Sequence, residues 1–215
     1  MYQRVHNVEA RSDNAERTPE VPRRLPRGTH GLDPSLVAAS QRTRLLEAAG
    51  RAVAEKGYAA ATIEDIVRGA GVSKKTFYEH FGDKLDCFLA AYEAASDELL
   101  EHVRTAQDGA GDWVEGTRAG IHAYLRWLAA EPALARVFLI EIAAAGPEAL
   151  ERRERVRDRY AERMRELQTS NGVPDELFHA VVAAVDELVV RRLRAGTDVR
   201  ELEPAILQLQ LALLR

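Results

Sequence analysis

Apolar residues recur along most of this chain at the spacing of one helix face. Leu45, Leu46, Ala49, Ala52 and Val53 follow the i, i+3, i+4, i+7 rule. They predict a helix beginning near Gln41 and stopping at Gly57, where glycine accepts a backbone conformation that ends a helix. The same period returns in Leu85, Phe88, Leu89, Tyr92, Leu99 and Val103, then over 113–130, 133–144, 147–168, 175–195 and 203–214. Breaks fall at Gly109 and Gly111, Glu131-Pro132, Gly146-Pro147, Asn171-Gly172 and Gly196. Strand-like alternation is scarce, so the predicted fold class is all-α. Residues 1–40 follow neither period and contain Pro19, Pro22, Pro26 and Pro34, which predicts a mobile tail.

Between the first long helix and the second, residues 62–81 spell two short ones. Thr62 is placed to cap the first, with Asp65 three residues on as the reciprocal partner of a capping box. Ile66, Val67 and Ala70 then face inward. Gly71 permits a sharp turn, Ser73 caps the next helix, and Val72 and Phe77 occupy the two positions of a hydrophobic staple. Phe77 and Phe81, four apart, share a buried face, which leaves Lys75, Thr76, Tyr78 and Glu79 on the outer side. Two short helices joined by a glycine turn are the helix-turn-helix arrangement, whose second helix enters the DNA major groove.

Composition narrows the class of protein. With 46% hydrophobic and 30% charged residues over 215, the chain has the balance of a folded globular protein. The apolar stretch 133–145 is interrupted by Arg136 and Glu141, so no membrane span is predicted. Cys87 stands alone and the N-terminus has no apolar leader, which points to the cytoplasm. Residues 1–86 hold 14 Lys+Arg against 12 Asp+Glu, net +2; residues 87–215 hold 16 against 22, net −6. All four lysines, Lys56, Lys74, Lys75 and Lys84, lie in the more basic front part.

The run from Gly71 to Lys84, GVSKKTFYEHFGDK, preceded by Thr62-Ile-Glu-Asp-Ile, resembles the DNA-binding region of the TetR family of bacterial transcriptional regulators over residues 41–92. The resemblance implies a three-helix DNA-binding domain at 41–86, fused through a long helix to a helical effector-binding and dimerisation domain at 87–215, with 1–40 as the tail. It also implies that Lys74, Lys75 and Thr76 begin the recognition helix. Tyr78 and His80 would meet the DNA backbone, and Lys84 and Thr62 would contact phosphate. Glu64, Asp65 and Glu79 depart from the basic character expected near a duplex; Glu79 could accept from a cytosine amino group. The arginines Arg23, Arg24 and Arg27 could follow the minor groove as an arm.

For the rear, the resemblance implies a small-molecule cavity among the middle helices, with Trp113, Tyr124, Trp127, Phe138 and Phe178 as candidate ligand-binding residues and His122 and Glu141 as candidate polar handles. The last two helices present more apolar surface than one chain needs. Val181, Val185, Leu188, Val189, Leu207 and Leu211 are therefore candidate contacts of a homodimer, which the family builds as a four-helix bundle. Arg152 to Arg159 alternates sign and reads as a solvated, ion-paired face.

No catalytic pattern emerges. Cys87 sits among Leu85, Phe88 and Leu89 and reads as a small buried side chain, and the six histidines form no metal-binding spacing. No cofactor, metal or enzymatic activity is expected. The reading is a ligand-responsive repressor that binds a palindromic DNA operator as a homodimer and is released by a small-molecule effector. The alternative is an all-helical protein-interaction module without DNA binding.

Overall fold

The computed structural model describes residues 33–168 and 172–214. These form nine α-helices and two 3-10 turns, with no strand among the described residues. The helices are α1 (Pro34–Lys56), α2 (Ile63–Ala70), α3 (Lys74–His80), α4 (Lys84–Asp108), α5 (Trp113–Ala130), α6 (Pro132–Leu139), α7 (Pro147–Leu167), α8 (Asp175–Ala195) and α9 (Glu203–Leu213). The 3-10 turns, Glu141–Ala145 and Val199–Leu202, precede α7 and α9.

The predicted helices match closely except at two ends. The first begins at Pro34, not Gln41, so residues 34–40 are helical and Ser40 is buried. Pro34 occupies the first helical position, where a missing N–H costs nothing, and Asp33 caps it by accepting from the Ser35 amide at 2.9 Å. The pattern over 133–144 divides after Leu139, where the chain tightens into a 3-10 turn before Gly146-Pro147.

Local chemistry explains the front helices. Thr62 Oγ1 accepts from the Asp65 amide while the Asp65 carboxylate accepts from the Thr62 amide, a complete capping box. Gly71 takes the left-handed conformation, with φ 65°, that ends α2 and turns the chain toward α3. Ser73 caps α3 through the Thr76 amide at 3.0 Å.

Two hydrophobic cores are stacked along the molecule. The front core joins Leu45, Val53, Ile66, Phe77, Phe81 and Phe88; the rear core joins Leu99, Leu125, Leu128, Phe178, Val181 and Ile206. Helix α4 belongs to both. Cys87, Phe88 and Leu89 close the front core, and Leu99 and Val103 enter the rear one. Its 25 residues run about 37 Å, so one rigid element links the two ends.

Candidate nucleic-acid interface and internal cavity

Phe77 is fully buried and pins α3 against the front core, in ring contact with Phe81 at 5.8 Å. The opposite side of α3 projects outward. Side chains of Lys74 and Lys75 are 61% and 87% exposed, and Tyr78 is the most exposed large hydrophobic residue at 58%. Each lysine has an acidic neighbour: Lys74 Nζ lies 2.7 Å from Glu64, and Lys75 Nζ lies 3.8 Å from Glu79. The Lys74 ammonium in turn holds the Glu64 carboxyl below its ordinary range. Pairs this exposed contribute little to stability and separate readily.

Behind α3 lies a set of bonds joining distant parts of the chain. Lys84 Nζ donates to the carbonyls of Tyr58 and Ala61, at 2.8 and 2.9 Å, and lies 4.3 Å from the centre of the Tyr58 ring. The Tyr58 amide donates to Glu141, on the 3-10 turn after α6, at 3.0 Å. Glu141, Tyr58 and Lys84 thus tie the end of α6 to the start of α4. Asp65 accepts from Lys56, Arg68 and Thr62, with Lys56 the largest influence, and its carboxyl falls to about 2.

The rear helices enclose a cavity of about 110 Å³. Its α4 wall runs from Tyr92 to Gln107, about 22 Å at the helical rise, so its lining extends along most of the rear part of that helix. Leu99, Val103, Ile121, Leu128, Met164 and Val182 make its middle apolar. Toward the front stands a polar cluster. Asp186 Oδ2 accepts from Arg157 Nε at 2.8 Å and from an Arg153 terminal nitrogen at 3.3 Å, and all three residues line the cavity. Tyr92, Tyr124 and Tyr160 stand around them. Burial, helped by the Asp186 charge, pushes the Tyr92 phenol up to about 12 and the Tyr124 and Tyr160 phenols higher still.

The profile for bacterial regulatory proteins of the tetR family matches residues 45–91, the segment that builds the front core and the outward helix. Two relatives carry the likeness into the rear. The transcriptional activator FasR of Mycolicibacterium smegmatis is 32% identical over 117 residues, 54% of this chain but only about half, 52%, of FasR. The transcriptional repressor AcnR of Corynebacterium diphtheriae is 29% identical over 174 residues, covering 76% of this chain and 86% of AcnR. Residues 45–91 thus match the DNA-binding segment of the TetR family, and the chain beyond them is similar to regulators such as AcnR.

Solved structures extend the agreement in fold. The fatty acid degradation regulator FadR of Bacillus halodurans superposes with a TM-score of 0.72 at 23% identity, over 80% of this chain and 99% of FadR. FadR of Bacillus subtilis, solved in complex with stearoyl-CoA, gives 0.72 at 20% identity over the same shares.

The DNA-binding candidates divide into two groups. Lys74, Lys75 and Tyr78 share the outer side of α3 with Glu79. Thr76 and His80 are half-buried beside them, Thr76 with its hydroxyl 3.0 Å from Ser73 and His80 with Nε2 3.4 Å from Gln41. Thr62 and Lys84 are engaged at home, in the capping box and on two carbonyls. With two of its three protons committed, Lys84 retains one for an outside acceptor. Arg23, Arg24 and Arg27 lie outside the described residues.

Several rear expectations require correction. Trp113, Tyr124, Trp127 and Phe138 line the cavity, but Phe178 does not. It is 2% exposed and packs within the rear core, with the Arg165 guanidinium 5.7 Å from its ring centre. His122 and Glu141 also lie off the cavity; His122 Nδ1 is 3.0 Å from Glu203. Val181 and Val189 are fully buried inside their own chain and Val185 lines the cavity, so these three face their own core; Leu207 lines a surface groove with Leu211, Arg118 and Glu203. The stripe that looked surplus in the sequence is consumed in closing the rear core. Leu188 and Leu211 remain partly exposed, alongside Leu209 and Leu213.

The Arg152 to Arg159 run is only in part a solvated face. Arg152 pairs with Glu93 and Arg159 with Asp97, as a surface helix would. Arg153 and Arg157 turn inward to Asp186. Sequence reasoning missed this cluster. Its available signals were two arginines four apart on α7 and a lone carboxylate, Asp186, within the apolar stripe Val182, Val185, Val189, Val190 of α8. A charge on an apolar face requires an inward partner.

Among the described residues no group of three His, Cys, Asp or Glu is arranged to hold a metal ion, and no helix is long and apolar enough to cross a membrane. Cys87 is buried and burial pushes its thiol up to about 12, unsuited to nucleophilic work near neutral pH.

Proposed function

We propose that this transcriptional regulator binds a palindromic DNA operator as a homodimer and leaves it when an elongated small molecule fills the rear cavity. The observation that carries the reading is the uncovered outer side of α3: two lysines and a tyrosine project from a helix whose inner side is pinned by Phe77, and no described residue covers them. On this reading residues 41–86 form the DNA-binding unit and 87–215 the effector-binding and dimerisation unit. Lys75 and Thr76 face base edges, while Lys74, Tyr78, His80, Thr62 and the remaining proton of Lys84 face the backbone.

The dimer would use partly exposed residues of α8 and α9, among them Leu188 and Leu211, in place of the buried valines. Two such heads need to sit about 34–36 Å apart to enter successive major grooves. Helix α4 supplies the coupling. The same rod lines the cavity from Tyr92 to Gln107 and closes the front core with Phe88, and a second route runs from cavity-lining Phe138 and Leu139 through Glu141 and Tyr58 to Lys84. A ligand that prefers the displaced position of these elements lowers operator affinity by that preference. AcnR, named as a repressor, supports repression as the outcome. A cavity whose α4 wall spans about 22 Å suits an acyl chain, the kind of group that stearoyl-CoA presents in the Bacillus subtilis FadR complex.

Selection of bound duplexes from a random-sequence pool tests the reading. The expected result is an inverted repeat whose half-sites lie about one helical turn apart, bound with an affinity that falls steeply with salt. Binding with no preferred sequence and no salt dependence contradicts it, and favours the protein-interaction alternative.

A further inference from the structure

We infer that the polar end of the cavity is a carboxylate-binding site, with Arg153 as the residue that holds the head of a long-chain carboxylic acid. This deepens the effector reading above and rests on it.

The argument begins with unequal sharing around Asp186. Of the ionisable side chains lining the cavity, Arg153 and Arg157 are cationic and Asp186 alone is anionic. Asp186 bonds more closely to Arg157, at 2.8 Å, than to Arg153, at 3.3 Å. Arg157 has a further partner on the solvent side, Glu154 at 2.8 Å, which is exposed and outside the cavity wall. Among the described residues Arg153 has no such second carboxylate, and its buried Nε has no hydrogen-bond partner. A guanidinium offers five donors, so most of the capacity of Arg153 is unspent.

A second orphan donor lines the same cavity. The Tyr160 hydroxyl is buried with no partner, and the Tyr160 ring lies 6.2 Å from that of Tyr124 at 75°. Burial keeps both phenols protonated far beyond neutral pH, so they remain donors. A buried donor without an acceptor costs stability. A region with two orphan donors, one of them on a guanidinium, and an apolar corridor leading from it matches one ligand chemistry: a single anionic acceptor at the end of a hydrocarbon chain. A carboxylate meets Arg153 with two oxygens at once and accepts from Tyr160 as well. An ester or thioester carbonyl of the same chain accepts from Tyr160 but has no charge for Arg153.

The experiment uses the full chain and three probes that share one hydrocarbon tail: stearate, methyl stearate and stearoyl-CoA. Trp113 and Trp127 in the cavity wall report occupancy by their fluorescence. Stearate is expected to bind at least about tenfold more tightly than methyl stearate, as a charge-assisted hydrogen bond implies. Arg153→Gln, in which Arg157 still holds Asp186, should bring stearate down to the ester's affinity while leaving the ester unchanged; a purely structural role would weaken both. Asp186→Asn removes the competing carboxylate and should tighten stearate several-fold without moving the ester. Equal or tighter binding of the ester or of stearoyl-CoA, or weaker stearate binding by Asp186→Asn, overturns the inference and leaves the cavity as an effector site for another class. Binding of none of the three removes the effector reading itself and the inference with it.

Discussion

The caps of the two short front helices and the polar contacts of the rear differ in how far apart along the chain their interacting residues stand. In the front, Thr62 meets Asp65 and Ser73 meets Thr76, partners three residues apart. In the rear, Arg153 meets Asp186 across 33 positions, Arg163 meets Gln107 across 56 and Arg152 meets Glu93 across 59. The caps and the turn of the front are thus specified by short-range chemistry that any copy of the segment would repeat, while Lys84 to Tyr58 and Tyr58 to Glu141, 26 and 83 positions apart, dock them onto the rest. The rear site exists only when four helices have packed. A reading surface that must present one fixed shape to DNA suits the first kind of construction, and a cavity that admits a ligand suits the second.

The largest effect expected to sharpen this contrast comes from the cores. Phe77→Ala should cost about 3–5 kcal/mol in a denaturant melt and abolish duplex binding, since Phe77 is fully buried and fixes the tilt of α3. Phe178→Ala should cost a similar amount in the rear. A loss below about 1 kcal/mol for Phe77 would mean that the front is held by its caps alone.

Next in size is the response to alkali. The folded pKa values of Tyr92, Tyr124 and Tyr160 lie above the unfolded value near 10, so their contribution is complete below about pH 10 and fades as pH rises toward 12. Cys87, raised from 9.0 to about 12, acts with the same sign from about pH 9. In a variant with Tyr2, Tyr58 and Tyr78 changed to Phe, phenolate absorbance should therefore appear together with loss of helical circular dichroism; phenolate formation in that variant while still folded would contradict the burial of these rings. Acid acts on the front. Asp65, depressed to about 2 by Lys56 and the Thr62 cap, stabilises above about pH 4 and ceases to do so as pH falls toward 2.

Smaller still is the cap itself. Thr62→Ala should cost about 1 kcal/mol and fray α2, seen as faster amide exchange there with rear exchange unchanged. The smallest change, Glu64→Gln, frees Lys74 from its exposed partner and should raise duplex affinity a few-fold at every sequence, with a slightly steeper salt dependence. An unchanged affinity would place Lys74 away from the phosphates.

Legibility in the sequence followed the same division. Gly71, with its positive φ, and the caps at Thr62 and Ser73 could be read because each acts on neighbours within a turn. The start of α1 was misread because Pro34 counts as a breaker in composition yet is harmless at a first helical position. Val181 and Val189 were misassigned because a helix period tells which residues share a side and not what that side meets; here it meets the chain's own core. Asp186 carried a signal, a carboxylate amid valines, but its partners on α7 are disclosed only by packing.

The most direct test of the division of labour is the salt dependence of duplex binding by a Lys74→Ala, Lys75→Ala double variant, with Trp113 and Trp127 fluorescence recorded alongside. The account predicts a loss of at least about tenfold in affinity and a log–log slope smaller by about one to two units, with cavity occupancy unchanged. A double variant that binds duplex with the parent's affinity and slope would contradict it.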